Sequence, residues 1–367
     1  MNQQRITKLQ QELSQQKLDG VILMPGPNAY YFSGMHTHVS ERPVLLFIPQ
    51  MGEPAVIIPG LEAMKAEAAG IPSERIFAWT DEDWFEGAFQ KAAKALQLDS
   101  THWGVEAYYM RVLELDALRK VAPSLQTSYA EPAIMALRSI KDDNELAAMS
   151  KAVGIAERGI ERLIPQIKIG MTEKQVAAQL TAILLDEGGE SMAFGPIVSS
   201  GPNGASPHAM PGERPLTNGD LLVVDWGVFV DDYPSDITRT FAVGEVDDEL
   251  KHIYDIVRQA NEAGKQAAKP GATGQDVDRA ARKVIVDAGY GEYFFHRTGH
   301  GLGLEVHELP GMVEGNNVPL QEGNVFTVEP GIYVAGRGGV RIEDDVVVTA
   351  DGCRSLTSFT RDLITVG

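Results

Sequence analysis

The sequence contains very little cysteine: Cys353 is the single thiol among 367 residues. An intrachain disulfide is therefore excluded, and a metal site in this chain has to use nitrogen and oxygen ligands rather than a cluster of thiolates. A chain without disulfides is typical of a reducing compartment. We therefore expect a cytoplasmic protein.

Long hydrophobic runs are absent as well. Crossing a bilayer takes about 20 consecutive apolar residues, whereas the longest apolar stretches here have the length of strands, such as Val44 to Ile48. The N-terminal segment MNQQRITKLQQELSQQKLDG is polar, with apolar residues near helical spacing, and lacks the apolar centre of a secretory signal. It predicts a first helix in a protein that has no membrane partner.

Positive charge is scarce relative to negative charge. The chain has 32 Lys and Arg against 51 Asp and Glu, which gives a formal net charge of -19. Such a chain repels phosphate backbones and anionic membrane surfaces and attracts divalent cations, so nucleic acid is not an expected partner. Acidity alone is equally typical of a surface that keeps an enzyme soluble, and it does not identify a function.

The length exceeds what one hydrophobic core usually supports, which predicts two domains. In the N-terminal third, helical and strand-like patterns alternate as they do in an α/β domain. A long helical pattern with acidic residues in its first turn then begins at Asp142. We place the domains at residues 1–133 and 134–367.

An internal repeat is the most informative feature of the second domain. One segment reads GDLLVVDWGVFVDDYPSDITRTFAV, and a later one reads GNVFTVEPGIYVAGRGGVRIEDDVVV. In both, a carboxylate (Asp225 or Glu329) stands six residues after the first glycine, and a second carboxylate (Asp236 or Glu343) follows on the returning strand. Each segment is typical of a β-hairpin with inward-facing acids, so two related halves would bring four carboxylates together.

This convergence predicts bound cations. Burying unpaired carboxylates costs on the order of several kcal/mol each, whereas four acids with one or two histidines suit Mn²⁺, Co²⁺ or Zn²⁺. Two such ions about 3.5 to 4 Å apart can share carboxylates and ionise a bridging water near neutral pH. Because the sequence has neither a G-x-S-x-G nor an H-E-x-x-H motif, we favour hydrolysis by water activated in this way.

The ordered set of these residues resembles the signature of the pita-bread metallopeptidases, which include methionine aminopeptidase, aminopeptidase P and prolidase. The resemblance covers most of residues 140–367 and rests on Asp225, Asp236, His300 in HRTGHGLGLEVHE, Glu329 in TVEPGIYV and Glu343 in GVRIEDD. It implies an α+β catalytic domain with a pseudo-two-fold internal repeat and two divalent ions, manganese foremost. By similarity, Asp236 and Glu343 would bridge both ions, Asp225 would bind one, and His300 with Glu329 the other.

The same resemblance implies roles for the residues around the ions. Glu329 is the expected general base and then acid. His208 and His307 resemble the two histidines that flank the substrate, where imidazoles stabilise an oxyanion or hold the substrate carbonyl. Tyr233 and Arg341 are expected to contact the substrate or the ligands.

Two further features near His300 have competing interpretations. His296 precedes it by four residues, but the threonine and glycines between and after them argue against a helical metal motif, so we expect a structural or supporting role for His296. The glycines at 299, 301 and 303 loosely match a nucleotide-binding loop. Close backbone packing at the metal site explains them better.

The separate N-terminal domain resembles the creatinase-like α/β domain of the proline-directed members. The leading hypothesis is therefore a homodimeric Xaa-Pro dipeptidase that acts on small peptides with proline at the second position. The string NAYYFSGMHTHVSER resembles that of compact prolidases, in which a histidine from one subunit enters the partner's active site. His38 is the candidate for that histidine.

One departure from the larger prolidases leaves the dipeptide preference open. They use an arginine between the equivalents of His307 and Glu329 to bind the dipeptide's carboxylate, and that segment here has no Arg or Lys. Arg341, or His38 and Arg42 from a second subunit, would have to supply the charge. Aminopeptidase P is thus the alternative within the family. A non-catalytic binding protein on the same fold is the alternative outside it, disfavoured by the complete ligand set.

Overall fold

A computed structural model describes all 367 residues, which divide into two compact units, Met1–Arg138 and Ser139–Gly367. The domain boundary expected at residues 133 and 134 stays a prediction. None of the helices combines the length and the apolar character that a membrane span requires.

The first unit is built on one six-stranded mixed sheet with helices around it. Its helices and strands are α1 (Gln3–Gln16), β1 (Gly20–Leu23), α2 (Pro27–Ser33), β2 (Leu45–Pro49), β3 (Ala55–Pro59), α3 (Ala63–Ala68), β4 (Ile76–Trp79), α4 (Glu86–Leu96), β5 (His102–Val105), α5 (Val112–Val121), β6 (Gln126–Tyr129) and α6 (Glu131–Arg138). The strand order is β4-β3-β2-β1-β5-β6. Strand β1 pairs antiparallel with β2 and parallel with β5, so the sheet combines a meander with crossover connections.

Burial explains why this sheet is stable. Every residue of β1, β2 and β3 is buried, which is typical of strands covered on both faces. On one face, side chains such as Ile22 and Phe47 form a core with Phe89 of α4 and Leu118 of α5. The predicted first helix is confirmed: Asn2 caps α1, whose buried stripe lies against the rest of the unit.

The second unit contains long helices and several small sheets. Its elements are α7 (Asp143–Leu163), α8 (Glu173–Asp186), β7 (Ser191–Met192), β8 (Ile197–Ser200), β9 (Leu221–Trp226), β10 (Val228–Val230), β11 (Tyr233–Pro234), β12 (Ile237–Val243), α9 (Asp248–Ala267), α10 (Gly274–Asp287), β13 (Gly299–Gly301), β14 (Glu308–Met312), β15 (Val325–Val328), β16 (Gly331–Val334), β17 (Gly338–Arg341), β18 (Asp344–Val348), β19 (Cys353–Ser355) and β20 (Thr365–Val366).

The internal repeat folds into two hairpins of the same design. In the first, β9 pairs antiparallel with β12, while β10 and β11 form a short outer pair. In the second, β15 pairs antiparallel with β18, while β16 and β17 form the outer pair. An isolated bridge between Thr238 and Glu343 joins the two hairpins. The repeat seen in the sequence is therefore a repeat of structure.

The pseudo-symmetry extends to the helices that flank the hairpins. Thr172 caps α8 and Thr273 caps α10, each in a reciprocal capping box. Each threonine also forms an isolated β-bridge, with Pro215 in the first half and with Pro319 in the second. Helix α9 packs on both hairpins, since residues such as Val257 share one core with apolar residues of β9, β12, β16 and β17. The hairpins are thereby held in a fixed relation.

Candidate metal centre

The second unit contains a cavity of about 590 Å³ whose lining brings together the five residues expected to bind metal: Asp225, Asp236, His300, Glu329 and Glu343. A larger groove of about 910 Å³ between α4 and α5 of the first unit has no histidine in its lining. The chemistry of the donor set thus identifies the smaller cavity as the candidate site.

The hairpins position the four acids at corresponding places. Asp225 lies near the end of β9, opposite Thr238 of β12, and Asp236 directly precedes β12. In the second hairpin, Glu329 directly follows β15 and Glu343 directly precedes β18. All four acids therefore stand where the paired strands open, and the bridge between the hairpins brings their ends together.

His300 completes the cluster from the middle of β13. Its Nε2 atom lies 3.6 Å from Oδ2 of Asp236 and 3.4 Å from Oε1 of Glu329. Asp236, His300 and Glu343 each offer a ligand atom, and these atoms lie within 4.8 Å of one another. Such a group of buried oxygen and imidazole ligands matches the preferences of Mn²⁺, Co²⁺ and Zn²⁺.

Asp225 provides a direct test of whether a cation fits. Its Oδ2 atom accepts a hydrogen bond from Nη2 of Arg341 at 2.6 Å, but its Oδ1 atom is buried without a hydrogen-bond partner. A buried carboxylate oxygen without a partner is unfavourable. A cation in the cavity would satisfy this oxygen, so the residues present fit a bound metal.

The electrostatics of the cluster support the same conclusion. Burial, followed by repulsion from Glu343 and Asp225, raises the pKa of Asp236. Burial raises the pKa of Glu329 to about 7, and burial with repulsion from Glu329 raises the pKa of Glu343 well above its usual range. Burial and then His307 lower the pKa of His300 to about 3, which keeps its imidazole neutral and able to bind a metal.

A chain of hydrogen bonds supports Asp225 from behind. The buried guanidinium of Arg341 donates to Asp225 and, through Nη1, to the hydroxyl of Tyr333 at 3.1 Å. The same hydroxyl lies 3.0 Å from Nε2 of His296. Tyr333 and His296 both line the cavity. Sequence reasoning missed Tyr333 and gave His296 only a supporting role.

Both histidines expected to flank the substrate line the cavity. The ring of His307 stands edge-on to that of His300, with centroids 4.2 Å apart and planes at 87°. Burial and then the nearby Arg297 lower the pKa of His307. His208 is exposed at the cavity wall. Both imidazoles are thus accessible to a bound ligand.

Two of the expected contact residues lie elsewhere. Tyr233 is not part of the cavity lining. Its buried hydroxyl donates to Oε1 of Glu145 at 2.5 Å, so the side chain does not lie where we expected it. His38 belongs to the first unit, where it is exposed in an irregular segment between α2 and β2. Its expected role in a partner's site stays a prediction.

The glycines around His300 serve close backbone packing, as expected. A Cβ atom on Gly299 would lie 1.8 Å from the carbonyl oxygen of Thr327. A Cβ atom on Gly301 would lie 2.3 Å from the carbonyl oxygen of Leu309. Both distances are far below van der Waals contact, so only glycine lets the strand that carries His300 lie so close to its neighbours.

Comparison with known proteins gives matches over the whole chain. A model of metallopeptidase family M24 matches residues 147–350, and a model of the creatinase/prolidase N-terminal domain matches residues 5–140. The putative dipeptidase YkvY of Bacillus subtilis is 41% identical over 337 residues, which cover 92% of this chain and 93% of that protein. The Xaa-Pro dipeptidase of Pyrococcus horikoshii is 36% identical over 98% of this chain and 99% of its own.

Solved structures match equally well. A prolidase from Thermococcus sibiricus superimposes with a TM-score of 0.93 at 36% identity, with 100% of each chain covered. An X-Pro aminopeptidase from Thermotoga maritima gives a TM-score of 0.85 at 32% identity, over 98% of this chain and 99% of that one. These matches confirm the predicted fold, an α/β domain followed by an α+β pita-bread catalytic domain with a pseudo-two-fold repeat.

Proposed function

Because this chain belongs to metallopeptidase family M24 and carries a creatinase/prolidase N-terminal domain, we propose that it is an Xaa-Pro dipeptidase dependent on two divalent cations. The observation that carries the proposal is the group of buried acids around His300, one of which leaves a carboxylate oxygen without a partner. Relatives named Xaa-Pro dipeptidase and prolidase support the substrate class.

We assign the cations to Asp225, Asp236, His300, Glu329 and Glu343, with Mn²⁺ as the first expectation and Co²⁺ or Zn²⁺ as alternatives. When bound, such ions supply Lewis acidity toward a carbonyl oxygen and lower the pKa of a water molecule toward neutrality. Oxygen donors outnumber the one imidazole in this set, which favours Mn²⁺ over Zn²⁺.

Glu329 is the residue best suited to move the proton. Burial raises its pKa to about 7, and a general base works best when its pKa lies near the working pH. In the reaction, the water oxygen bonds to the substrate carbonyl carbon as Glu329 accepts the proton. Glu329 then returns this proton to the proline nitrogen as the peptide C–N bond breaks.

His208 and His307 would act on the substrate carbonyl. Both line the cavity, and a neutral imidazole there can donate an N–H to the oxyanion that forms during attack. The lowered pKa of His307 favours that neutral form. We propose that the two histidines hold the carbonyl oxygen and stabilise its developing charge.

The carboxylate of a dipeptide needs a cation at the cavity. Arg341 is engaged by Asp225, and Arg42 forms an ion pair with Asp81 in the first unit. Arg297 lines the cavity and is exposed. A guanidinium suits a carboxylate because it donates two parallel hydrogen bonds. We therefore assign carboxylate binding to Arg297, and the test must separate it from His38 and Arg42 of a second subunit.

We further propose that the protein is a cytoplasmic homodimer. The low cysteine content supports a reducing compartment. His38 is exposed in an irregular segment, which would let it approach a partner subunit. Sedimentation equilibrium would test the dimer, and a monomer that retains full activity would remove His38 from the active site.

The decisive assay compares an Xaa-Pro dipeptide with an Xaa-Pro-Yaa tripeptide, using purified protein supplied with Mn²⁺. We expect faster hydrolysis of the dipeptide. Cleavage of the tripeptide alone would make the protein an aminopeptidase P, the activity named for one structural neighbour. Asp236→Ala should abolish hydrolysis while the fold is retained. Absence of hydrolysis in the wild-type protein would favour a binding protein.

A further inference from the structure

Lys141 and Glu308 form a buried ion pair near the candidate metal centre. Nζ of Lys141 lies 2.5 Å from Oε1 of Glu308, and each side chain is only 1% exposed. The two residues are 167 positions apart in the sequence. No role in metal binding or proton transfer involves either of them in the mechanism above.

The lysine end of this pair is firmly anchored. The backbone N–H of Lys141 donates to the carbonyl of Gly323 at 2.8 Å, and Ile140 forms a β-bridge with Asn324. The side chain of Asn324 also donates to the carbonyl of Ser139 at 2.8 Å. The segment that carries Lys141 is therefore tied to the start of the second hairpin.

The glutamate end contacts the loop between β13 and β14. Glu308 is the first residue of β14 and pairs with Gly301 of β13. Its carboxylate lies against Gly303, so closely that a Cβ atom there would come within 2.2 Å of Oε1. The carboxylate thus packs directly against residue 303 in the loop of residues 302–307.

His307 is the last residue of that loop and precedes Glu308 directly. Successive side chains of an extended chain point in opposite directions. The side chain of Glu308 is accordingly buried toward Lys141, whereas His307 is exposed at the cavity. The orientations of the buried carboxylate and of the exposed imidazole are therefore linked through the backbone that joins the two residues.

We propose that Lys141 and Glu308 form a clamp that sets the position of His307, which makes both of them positioning residues for peptide hydrolysis. The clamp rests on the function proposed above, because it assigns His307 to the substrate. A buried ion pair contributes little net stability relative to apolar residues of similar volume. Its contribution here is the fixed geometry of the loop, and displacements of about 1 Å at an active site can lower rates about 100-fold.

The test uses the double variant Lys141→Met/Glu308→Leu, which removes both charges together and leaves neither one buried without a partner. Backbone hydrogen–deuterium exchange of residues 302–307 in the metal-free protein reports the order of the loop without reference to activity. We expect faster exchange there and an unchanged unfolding temperature. In the Mn²⁺-loaded enzyme, with equal metal content, we expect kcat to fall about 10- to 100-fold while KM is unchanged.

The control is Lys283→Met, which removes a lysine from an exposed pair with Asp287 and should alter neither exchange nor kcat. Wild-type exchange and kcat in the double variant would overturn the clamp.

Should the double variant fail to fold, Glu308→Asp keeps both charges but withdraws the carboxylate from Gly303. It should show the same changes, and wild-type behaviour would again overturn the clamp. A wild-type enzyme inactive on Xaa-Pro dipeptides would refute the proposed function, while hydrogen exchange still tests the clamp.

Discussion

Arg341 and Asp225 form a buried ion pair across the two hairpins, with Nη2 of the arginine 2.6 Å from Oδ2 of the aspartate. The arginine comes from the end of β17, and the aspartate comes from β9. The side chain of Arg341 is 4% exposed and that of Asp225 is 11% exposed. The pair therefore links the two halves of the repeat at the point where metal is expected.

Removal of this arginine should destabilise the metal-free protein strongly. Arg341→Met leaves the carboxylate of Asp225 buried beside other acids, and breaking a buried pair costs about 3 to 5 kcal/mol. Urea unfolding of metal-free protein measures the loss. The control is Arg337→Met, which breaks half-exposed ion pairs with Asp247 and Glu249 and should cost about 1 kcal/mol at most. Equal losses in the two variants would contradict this account.

The metal-free protein should become less stable as the pH rises above about 6.5. Below that value, which is the pKa of a histidine in the unfolded chain, the buried histidines act in the opposite direction. Burial raises the pKa of Asp236, Glu329 and Glu343, that of Glu329 to about 7. The native state therefore binds more protons than the unfolded state, and its advantage is lost as these acids ionise. Each proton of difference changes the free energy of unfolding by about 1.4 kcal/mol per pH unit.

Three histidines act in the opposite direction at lower pH. Burial lowers the pKa of His300 to about 3, that of His296 to about 4, and that of His307 below its usual value, so stability gained from them rises with pH only up to about 6.5, the unfolded value. Calorimetry between pH 6.5 and 8 isolates the acids. Bound Mn²⁺ should reverse the trend, because metal binding displaces protons and tightens as pH rises. A flat profile without metal would contradict the raised pKa values.

Glu329→Gln should abolish most activity while the fold is retained. The amide cannot accept the proton of the attacking water, and loss of a general base lowers rates about 100- to 10,000-fold. Steady-state kinetics with an Xaa-Pro dipeptide measures kcat, and metal analysis of the same sample separates lost chemistry from lost metal. Glu322→Gln, at an exposed position, is the matched control. A kcat within a factor of about ten of wild type would exclude Glu329 as the base.

Sequence reasoning located the acids because their pattern follows the strands. Alternation along a strand sends every second side chain to the same face, so a repeated hairpin brings its inward residues to corresponding places. The same rule explains why Tyr233 does not face the cavity. Asp236 and Pro234 share one parity, whereas Tyr233 has the other, and its hydroxyl reaches Glu145 instead of the cavity. Applied strictly, alternation would have separated Tyr233 from the acids.

Tyr333 had a comparable signal that was overlooked. It stands four residues after Glu329, so it has the parity of the acid, and it is the one polar side chain in the strand GIYV. The pairing of Lys141 with Glu308 had no such signal. The two residues are 167 positions apart in the sequence and meet only through the tertiary fold. No local periodicity or spacing in the sequence indicates such a contact.

Arg297→Gln should weaken binding of dipeptides through their carboxylate. A hydrogen bond to a charged group contributes about 1.5 to 3 kcal/mol, so KM for an Xaa-Pro dipeptide should rise at least about tenfold. The corresponding Xaa-Pro amide has no carboxylate and should show little change, which separates charge recognition from a general disturbance of the cavity. Steady-state kinetics with both substrates provides the comparison.

Arg42→Gln is the matched variant, because it removes the same charge from the first unit, where Arg42 is paired with Asp81. If Arg297 binds the carboxylate, Arg42→Gln leaves the preference for dipeptide over amide intact. Loss of the preference in Arg42→Gln alone would transfer the role to Arg42, and with it the requirement for a second subunit. The two variants together therefore decide between Arg297, which belongs to the unit that holds the acids, and Arg42 of the first unit.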